Sequence, residues 1–253
     1  MKKAAETVVI LGGTSAVAMA YARDAAQQGD RIILVGRNKS KLKDNLADLT
    51  ARSTIEPLSF VVDLSDTINI STTWQSIIDH VGIIDRVLLA YGILGDQLDT
   101  QNDIKLLARN LVTNYVSAAQ WGETVFAYFR EIGCGQLSVI GSVAGDRGRQ
   151  SNYHYGSAKG GLDIYMQGLA HRAAKLKEAK IGVLLIKPGF IDTPMTDHIE
   201  KGGPLWATPE KIARIIRKSE KRGRRVVYAP WFWRFILLII QYLPFFIFKR
   251  TSL

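Results

Sequence analysis

Tyr155 and Lys159 stand four residues apart in Asn152-Tyr-His-Tyr-Gly-Ser-Ala-Lys159. On a helix that spacing puts both on one face, where the lysine ammonium can act on the tyrosine hydroxyl. The chemistry the pair suits is proton exchange with a carbonyl oxygen. An ordinary tyrosine, with a pKa of about 10, is too weak an acid at neutral pH, and a nearby cation lowers that value by favouring the phenolate. Ser142 follows the apolar run 137–140, where a short buried strand ends and a loop begins. Its hydroxyl can hydrogen-bond the same oxygen and hold it. Together the three fit hydride transfer to or from a carbonyl carbon, with Tyr155 as proton donor. Taken alone, Tyr155 and Lys159 are two residues that any surface helix could carry; the strand edge beside them, where ligands bind in open α/β sheets, gives them their weight.

The elements that must position them alternate in type. Residues 7–11 form a buried strand, Gly12 to Ser15 a tight turn, and 16–28 a helix closed by Gly29. Gly12 permits the turn, and the helix start at Thr14, Ser15, Ala16 and Val17 offers free N–H groups and a helix dipole to a pyrophosphate. Ala16 and Ala18 replace the usual second and third glycines, and a methyl at each is expected to narrow the backbone's approach. The second strand, 31–35, runs into Gly36-Arg37 with no acid to receive a ribose 2′-hydroxyl. Arginine suits a 2′-phosphate, so NADP(H) is favoured over NAD(H), with a solvated arginine as the other reading of Arg37. A third strand at 58–62 places Asp63 and Leu64 to meet an adenine, and a fourth at 86–90 leads from Ala90 into Tyr91-Gly92 alongside the cofactor.

A long helical pattern from 103 to 131 contains Asn114, either an exposed polar residue or a link from Lys159 to solvent through water. The helix of Tyr155 and Lys159 spans 151–177. A further buried strand, 181–186, enters a turn in which Pro188, Gly189, Ile191 and Thr193 reach the cofactor edge. A helix at 209–222 and a strand at 225–228 follow. Strands alternating with helices predict an α/β fold, a doubly wound Rossmann-type parallel sheet with helices on both faces.

Composition narrows the rest. At 253 residues the chain suits one α/β domain over 1–230, followed by a distinct tail at 231–253. One cysteine, Cys134, and no His/Cys cluster of metal-ligand spacing exclude an intrachain disulfide and predict no metal, which points to the cytoplasm. Lys2 and Lys3 with Ala18-Met-Ala20 imitate a secretory leader, but Glu6 and the Gly12-Gly13 break read better as strand, turn and helix. The net charge of +10 sits wholly after residue 200, where twelve Lys and Arg face two acids. Because that charge accompanies an aromatic, apolar tail, an anionic membrane surface is the expected partner and nucleic acid is not.

In order and spacing, Gly12-x-x-x-Ala16-x-Ala18, Asp63, Asn114, Ser142, Tyr155-x-x-x-Lys159 and Pro188-Gly189 resemble the short-chain dehydrogenase/reductase family. That resemblance implies that Asn114, Ser142, Tyr155 and Lys159 form a catalytic tetrad and that Lys159 also holds the nicotinamide ribose. Within the family, Leu11-Gly-Gly-Thr-Ser15, Tyr91-Gly-Ile-Leu-Gly-Asp96, Tyr155-Gly-Ser-Ala-Lys-Gly-Gly-Leu-Asp163 and the tail look similar to reductases of decaprenylphosphoryl-2-keto-erythro-pentose. Such a likeness implies a lipid-linked keto-sugar substrate, an arabinose product used in the cell envelope, and a flavin-dependent oxidase as partner. Another lipid ketone (3-ketoacyl, ketosphingoid or steroid-like) and a non-catalytic cofactor-binding scaffold are the alternatives.

The apolar run 235–248 is shorter than the roughly 20 residues that span a bilayer. It is expected to lie in the interface, holding the protein on the inner face of the cytoplasmic membrane apart from the chemistry. A subunit interface in a homo-oligomer would bury the same residues and is the competing reading.

Overall fold

The computed structural model describes residues 4–197 and 199–251; Lys2 and Lys3 of the leader-like pattern lie outside the described residues. The chain opens with β1 (Thr7–Leu11), α1 (Ala16–Gln27), β2 (Arg31–Gly36), α2 (Lys39–Thr50), β3 (Leu58–Val61) and α3 (Ile70–Val81). It continues through β4 (Arg86–Leu89), α4 (Gln97–Asn102), α5 (Ile104–Leu111), α6 (Ser117–Ile132), β5 (Cys134–Ile140), α7 (Tyr153–Lys175) and β6 (Lys180–Pro188). Two short strands, β7 (Phe190–Ile191) and β8 (Trp206–Ala207), precede α8 (Pro209–Lys221), β9 (Val226–Ala229), α9 (Trp233–Tyr242) and α10 (Phe245–Phe248).

Seven strands form one parallel sheet in the order β3-β2-β1-β4-β5-β6-β9. Its central strands are apolar on both faces because helices cover both. Tyr21, Leu42, Leu49, Ile212 and Ile216 from α1, α2 and α8 fill one layer. Trp74, Trp121, Phe126, Phe129, Leu162 and Met166 from α3, α6 and α7 fill the other. Strand order reverses between β1 and β4, so the loops that follow them diverge and open a crevice at the carboxyl ends of the strands.

The helical pattern predicted over 103–131 is interrupted. Between α5 and α6, residues Val112–Val116 make a π-helical turn, the widened geometry that often marks functional positions. Ahead of them α4 escaped sequence analysis because it carries few apolar residues. Asp96 caps it, accepting N–H bonds from Leu98 at 2.7 Å and Asp99 at 3.0 Å.

The tail is not detached from the domain, which corrects the expectation that it stands apart. Trp233 and Leu237 of α9 are buried with Val143, the residue after Ser142, and Phe190, Tyr228, Ile236 and Ile240 pack around them. Arg147 donates through Nη1 to the terminal carbonyls of α9, reaching Leu243 O at 2.7 Å and Gln241 O at 3.0 Å, with a further bond to Ile240 O. Its guanidinium lies 3.9 Å from the centre of the Phe248 ring. A cation on orphan helix carbonyls satisfies both the carbonyls and the helix dipole. Among the described residues no helix is long and apolar enough to cross a membrane.

Candidate active site

At the β1–α1 turn, Gly12 has φ +101°, and the Gly12 and Gly13 N–H groups both donate to Val35 O, at 2.8 and 2.9 Å. A Cβ on Gly12 would sit 2.8 Å from Ala90 C and Tyr91 N, so only glycine lets this turn lie against the loop after β4. Ser15 caps α1, its hydroxyl accepting the Ala18 N–H at 3.5 Å. The remaining N–H groups of that first helical turn face a cavity of about 780 Å³. Ala16 lines the cavity, but Ala18 is fully buried in the α1 packing layer. The expected narrowing by two methyls is therefore corrected to one.

Gly12, Thr14, Ser15, Ala16, Val17, Arg37, Asp63, Leu64, Ala90, Tyr91, Gly92, Ser142, Tyr155, Lys159, Pro188, Gly189, Ile191 and Thr193 all line this one cavity. At the β2 end, sequence analysis found Arg37 but missed Arg23, Lys41 and Asn45, which stand with it. Lys41 could have been found, since it lies one helical turn beyond Arg37. Asp63 accepts from Ser65 N at 3.0 Å and from Ser65 Oγ at 2.7 Å. Those bonds, helped by the Arg37 and Arg109 charges, hold its carboxyl below the usual carboxylate range. Leu64 O accepts the Trp121 indole N–H at 3.2 Å and fixes the same loop.

At the other end, Ser142 Oγ accepts the Ala144 N–H at 3.1 Å, leaving its proton free to donate. Lys159 is buried, with Nζ donating to Ile140 O at 3.2 Å and lying 5.7 Å from the Tyr155 ring centre. Burial lowers the Lys159 ammonium to about 8. Burial also pushes the Tyr155 phenol up, with the Ser142 hydrogen bond pulling the other way. This corrects the expectation of a tyrosine lowered by Lys159: both groups lose hydration, and the ammonium is turned toward a carbonyl. A phenol kept neutral is suited to donating a proton.

Asn114 does not line the cavity. It lies behind it in the π-helical turn, 1% exposed, which removes the reading of an exposed polar residue. Its amide donates to Ile93 O at 2.7 Å and accepts the Ile93 N–H at 3.1 Å, so it clamps the loop after β4. A Cβ on Gly92 would come within 2.7 Å of Asn114 Oδ1 and 3.5 Å of Lys159 Nζ, which shows how closely the two converge.

The substrate end is roofed by residues that sequence analysis did not assign to the site. Trp233, Ile236, Leu237 and Ile240 of α9 line the cavity. Phe190 stacks on Trp206 with centroids 5.2 Å apart and meets Trp233 edge-on at 5.7 Å. A Cβ on Gly189 would fall on the Trp233 indole, so this glycine is where the roof is seated. No group of three or more His, Cys, Asp or Glu among the described residues could hold a metal ion.

Residues 6–203 match the family model described as short chain dehydrogenase. The chain is 35% identical over 246 residues to an uncharacterized oxidoreductase of Mycobacterium tuberculosis, covering 97% of each. It is 31% identical to an uncharacterized oxidoreductase of Streptomyces coelicolor, over 96% of this chain and 95% of the other. To human 3-oxoacyl-[acyl-carrier-protein] reductase it is 26% identical, over 80% of this chain and 85% of the other. Among solved structures, a variant of actinorhodin polyketide ketoreductase with NADPH superposes with a TM-score of 0.79 at 19% identity. That match covers 90% of this chain and 97% of the other and speaks for the fold.

The seating of α9 is testable. Gly189→Val should overpack the Trp233 contact at about 1–3 kcal/mol and raise the undocked population of the tail by about 5–150-fold. Trypsin cleavage at Arg234 under native conditions, which tracks the open population, should accelerate by a similar factor. An unchanged cleavage rate would show that Gly189 does not seat the roof.

Proposed function

Because the chain belongs to the short-chain dehydrogenase/reductase family, we propose that it is an NADP(H)-dependent reductase of a lipid-linked keto-sugar. The observation that carries the chemistry is Ser142, Tyr155 and Lys159 at one end of a cavity whose other end presents Arg23, Arg37 and Lys41. The cavity fits the cofactor on its own features. Gly12 lets the turn before α1 lie directly against the loop after β4, the α1 N-terminus suits a pyrophosphate, and cations with no acid at Gly36 suit a 2′-phosphate. NAD(H) is the alternative where Arg37 plays no part.

Bound there, a nicotinamide supplies the hydride. Tyr155 gives its proton to the carbonyl oxygen, and Ser142 holds that oxygen through its O–H. Lys159, charged below pH of about 8, offsets the phenolate left on Tyr155 until solvent returns the proton. Asn114 acts at one remove, keeping the loop of Gly92 and Ile93 in place beside Lys159.

The substrate reading rests on Gly95-Asp96, the motif around Tyr155, the apolar roof, and the other face of the tail. Phe235, Ile239, Tyr242, Phe245 and Phe246 are exposed beside Arg234, Lys249 and Arg250, which suits peripheral contact with an anionic membrane. We place the protein at the inner face of the cytoplasmic membrane, working after a flavin-dependent oxidase that makes the ketone. An acyl ketone is the second reading, favoured by the relatives named 3-oxoacyl-[acyl-carrier-protein] reductase.

Incubation with NADPH and either a polyprenyl-phosphoryl 2-keto-pentose or a 3-oxoacyl thioester should give NADPH oxidation at least 10-fold more efficient with the first. The reverse order would move the assignment to the acyl ketone. Tyr155→Phe should lower kcat by about 10²–10⁴-fold while NADPH affinity holds. In the wild type, reductive kcat/KM should fall as pH rises through about 8, where Lys159 loses its charge. Retention of a tenth of wild-type kcat by the phenylalanine variant would remove Tyr155 as proton donor. Arg37→Ala should weaken NADPH by about 1.5–3 kcal/mol and leave NADH nearly unaffected, as binding titrations would show; equal losses would mean that Arg37 does not read the 2′-phosphate.

A further inference from the structure

The substrate end of the cavity holds a cation that the chain itself does not use. Arg149 lies between Ser142 and Tyr155, half-buried, and lines the cavity with Asn152 and Tyr155. No hydrogen bond or ion pair to a described residue occupies its guanidinium. Arg147, two residues earlier, is by contrast engaged with the end of α9 through Nη1 and the Phe248 ring. Burial lowers the Arg149 pKa with no carboxylate acting against it. The two acids that line the cavity stand elsewhere, Asp63 held by Ser65 and Glu210 in the first turn of α8.

Keeping a guanidinium half out of water without a partner is costly, and the cost is recovered when an anion arrives. The planar fork of arginine matches phosphate and carboxylate oxygens in pairs. Across the same cavity, Trp233, Ile236, Leu237 and Ile240 provide an apolar wall. A free fork beside an apolar wall is the arrangement that would select an anionic amphiphile over a neutral one.

We propose that Arg149 is the specificity-determining residue of the substrate end and that it binds the phosphoryl group of an amphiphilic substrate whose chain runs along α9. This rests on the reductase reading and sharpens it, because a neutral lipid ketone would leave Arg149 unpaired. The phosphoryl group is distinct from those of the cofactor, which the α1 N-terminus and the Arg23, Arg37 and Lys41 end would take.

The test is a binding measurement that needs no turnover. With the full chain saturated in NADP⁺, so that the cofactor's phosphate sites are filled, dodecyl phosphate, dodecanol and inorganic phosphate are titrated below the micelle concentration. Dodecyl phosphate should bind at least 10-fold more tightly than either of the others. Arg149→Gln should weaken dodecyl phosphate by about 10–100-fold and dodecanol by less than about 3-fold, with Arg149→Lys intermediate because it restores charge without the fork. Thermal melting of both variants should show no loss of stability against the wild type, since among the described residues no side-chain hydrogen bond or ion pair of Arg149 is removed. Equal affinity for dodecyl phosphate and dodecanol, or a phosphate preference that survives Arg149→Gln, would overturn the proposal. Inorganic phosphate binding as tightly as dodecyl phosphate would overturn the amphiphile. Failure of the reductase reading would instead appear as no NADPH oxidation with any ketone while the Arg149-dependent preference persists.

Discussion

The geometry of the candidate site depends on one close contact between backbones. The turn after Ser142 lies directly on α7, and glycines on both sides permit it. A Cβ on Gly145 would meet Gly160 N and Lys159 C at 2.7 Å; one on Gly156 would meet Ala144 O at 2.8 Å. With no side chain between them, the strand end carrying Ser142 and the helix carrying Tyr155 and Lys159 move as one body. None of the three glycines has a positive φ, so their role is space and not conformational freedom. Close packing of this kind has no slack, and a single methyl would shift the helix against the serine.

The second constraint is that this contact removes Lys159 from water and leaves Tyr155 only partly exposed, on the cavity side. Burial penalises the charged form of each, so the lysine falls to about 8 while the phenol rises. At neutral pH the pair therefore keeps its proton on the tyrosine beside a lysine that is still mostly charged, and a negative charge arising on the phenol makes that ammonium more favourable. The site's electrostatics are thus set by exclusion of solvent more than by direct pairing, since Lys159 Nζ is bonded to Ile140 O. Asn114 contributes by holding the wall that excludes the water, fixed at both ends of its amide to Ile93.

Much of the fold was legible because parallel strands buried on both faces read as unbroken apolar runs, and Gly12 and Pro188 punctuate them. Most residues assigned to the cavity were legible for the same reason: apart from Tyr155 and Lys159, which α7 carries, they lie near the carboxyl end of a strand, where a parallel sheet must open. What sequence did not reveal was contact at long range. Nothing in Gly189 announces that Trp233 will lie upon it, and nothing in Arg147 announces that it will cap a helix some 95 residues later. The small strands β7 and β8 were equally invisible, being two residues each, paired in register with Phe190 stacked on Trp206. Ala18 shows the opposite error, since a motif-based expectation placed its methyl in the crevice and helix periodicity turns it into the core.

The tail illustrates why composition alone could not decide its role. An apolar helix with one buried face is ordinary; α9 is apolar on both, with Trp233 and Leu237 inward and Phe235, Leu238 and Ile239 outward. Reading hydropathy along such a segment suggests a surface-seeking anchor, because the inward half of its apolar area has no visible partner in the sequence. In the fold that half forms the wall of the cavity, so an element that meets a lipid on its outer face would also touch the substrate on its inner one. Removing the tail would therefore expose the Val143 side of the Ser142 turn to water, and with it the end of the cavity where Lys159 must remain dry. For that reason truncation at Trp231 is expected to impair turnover even of a short soluble ketone, a loss that membrane delivery alone would not produce.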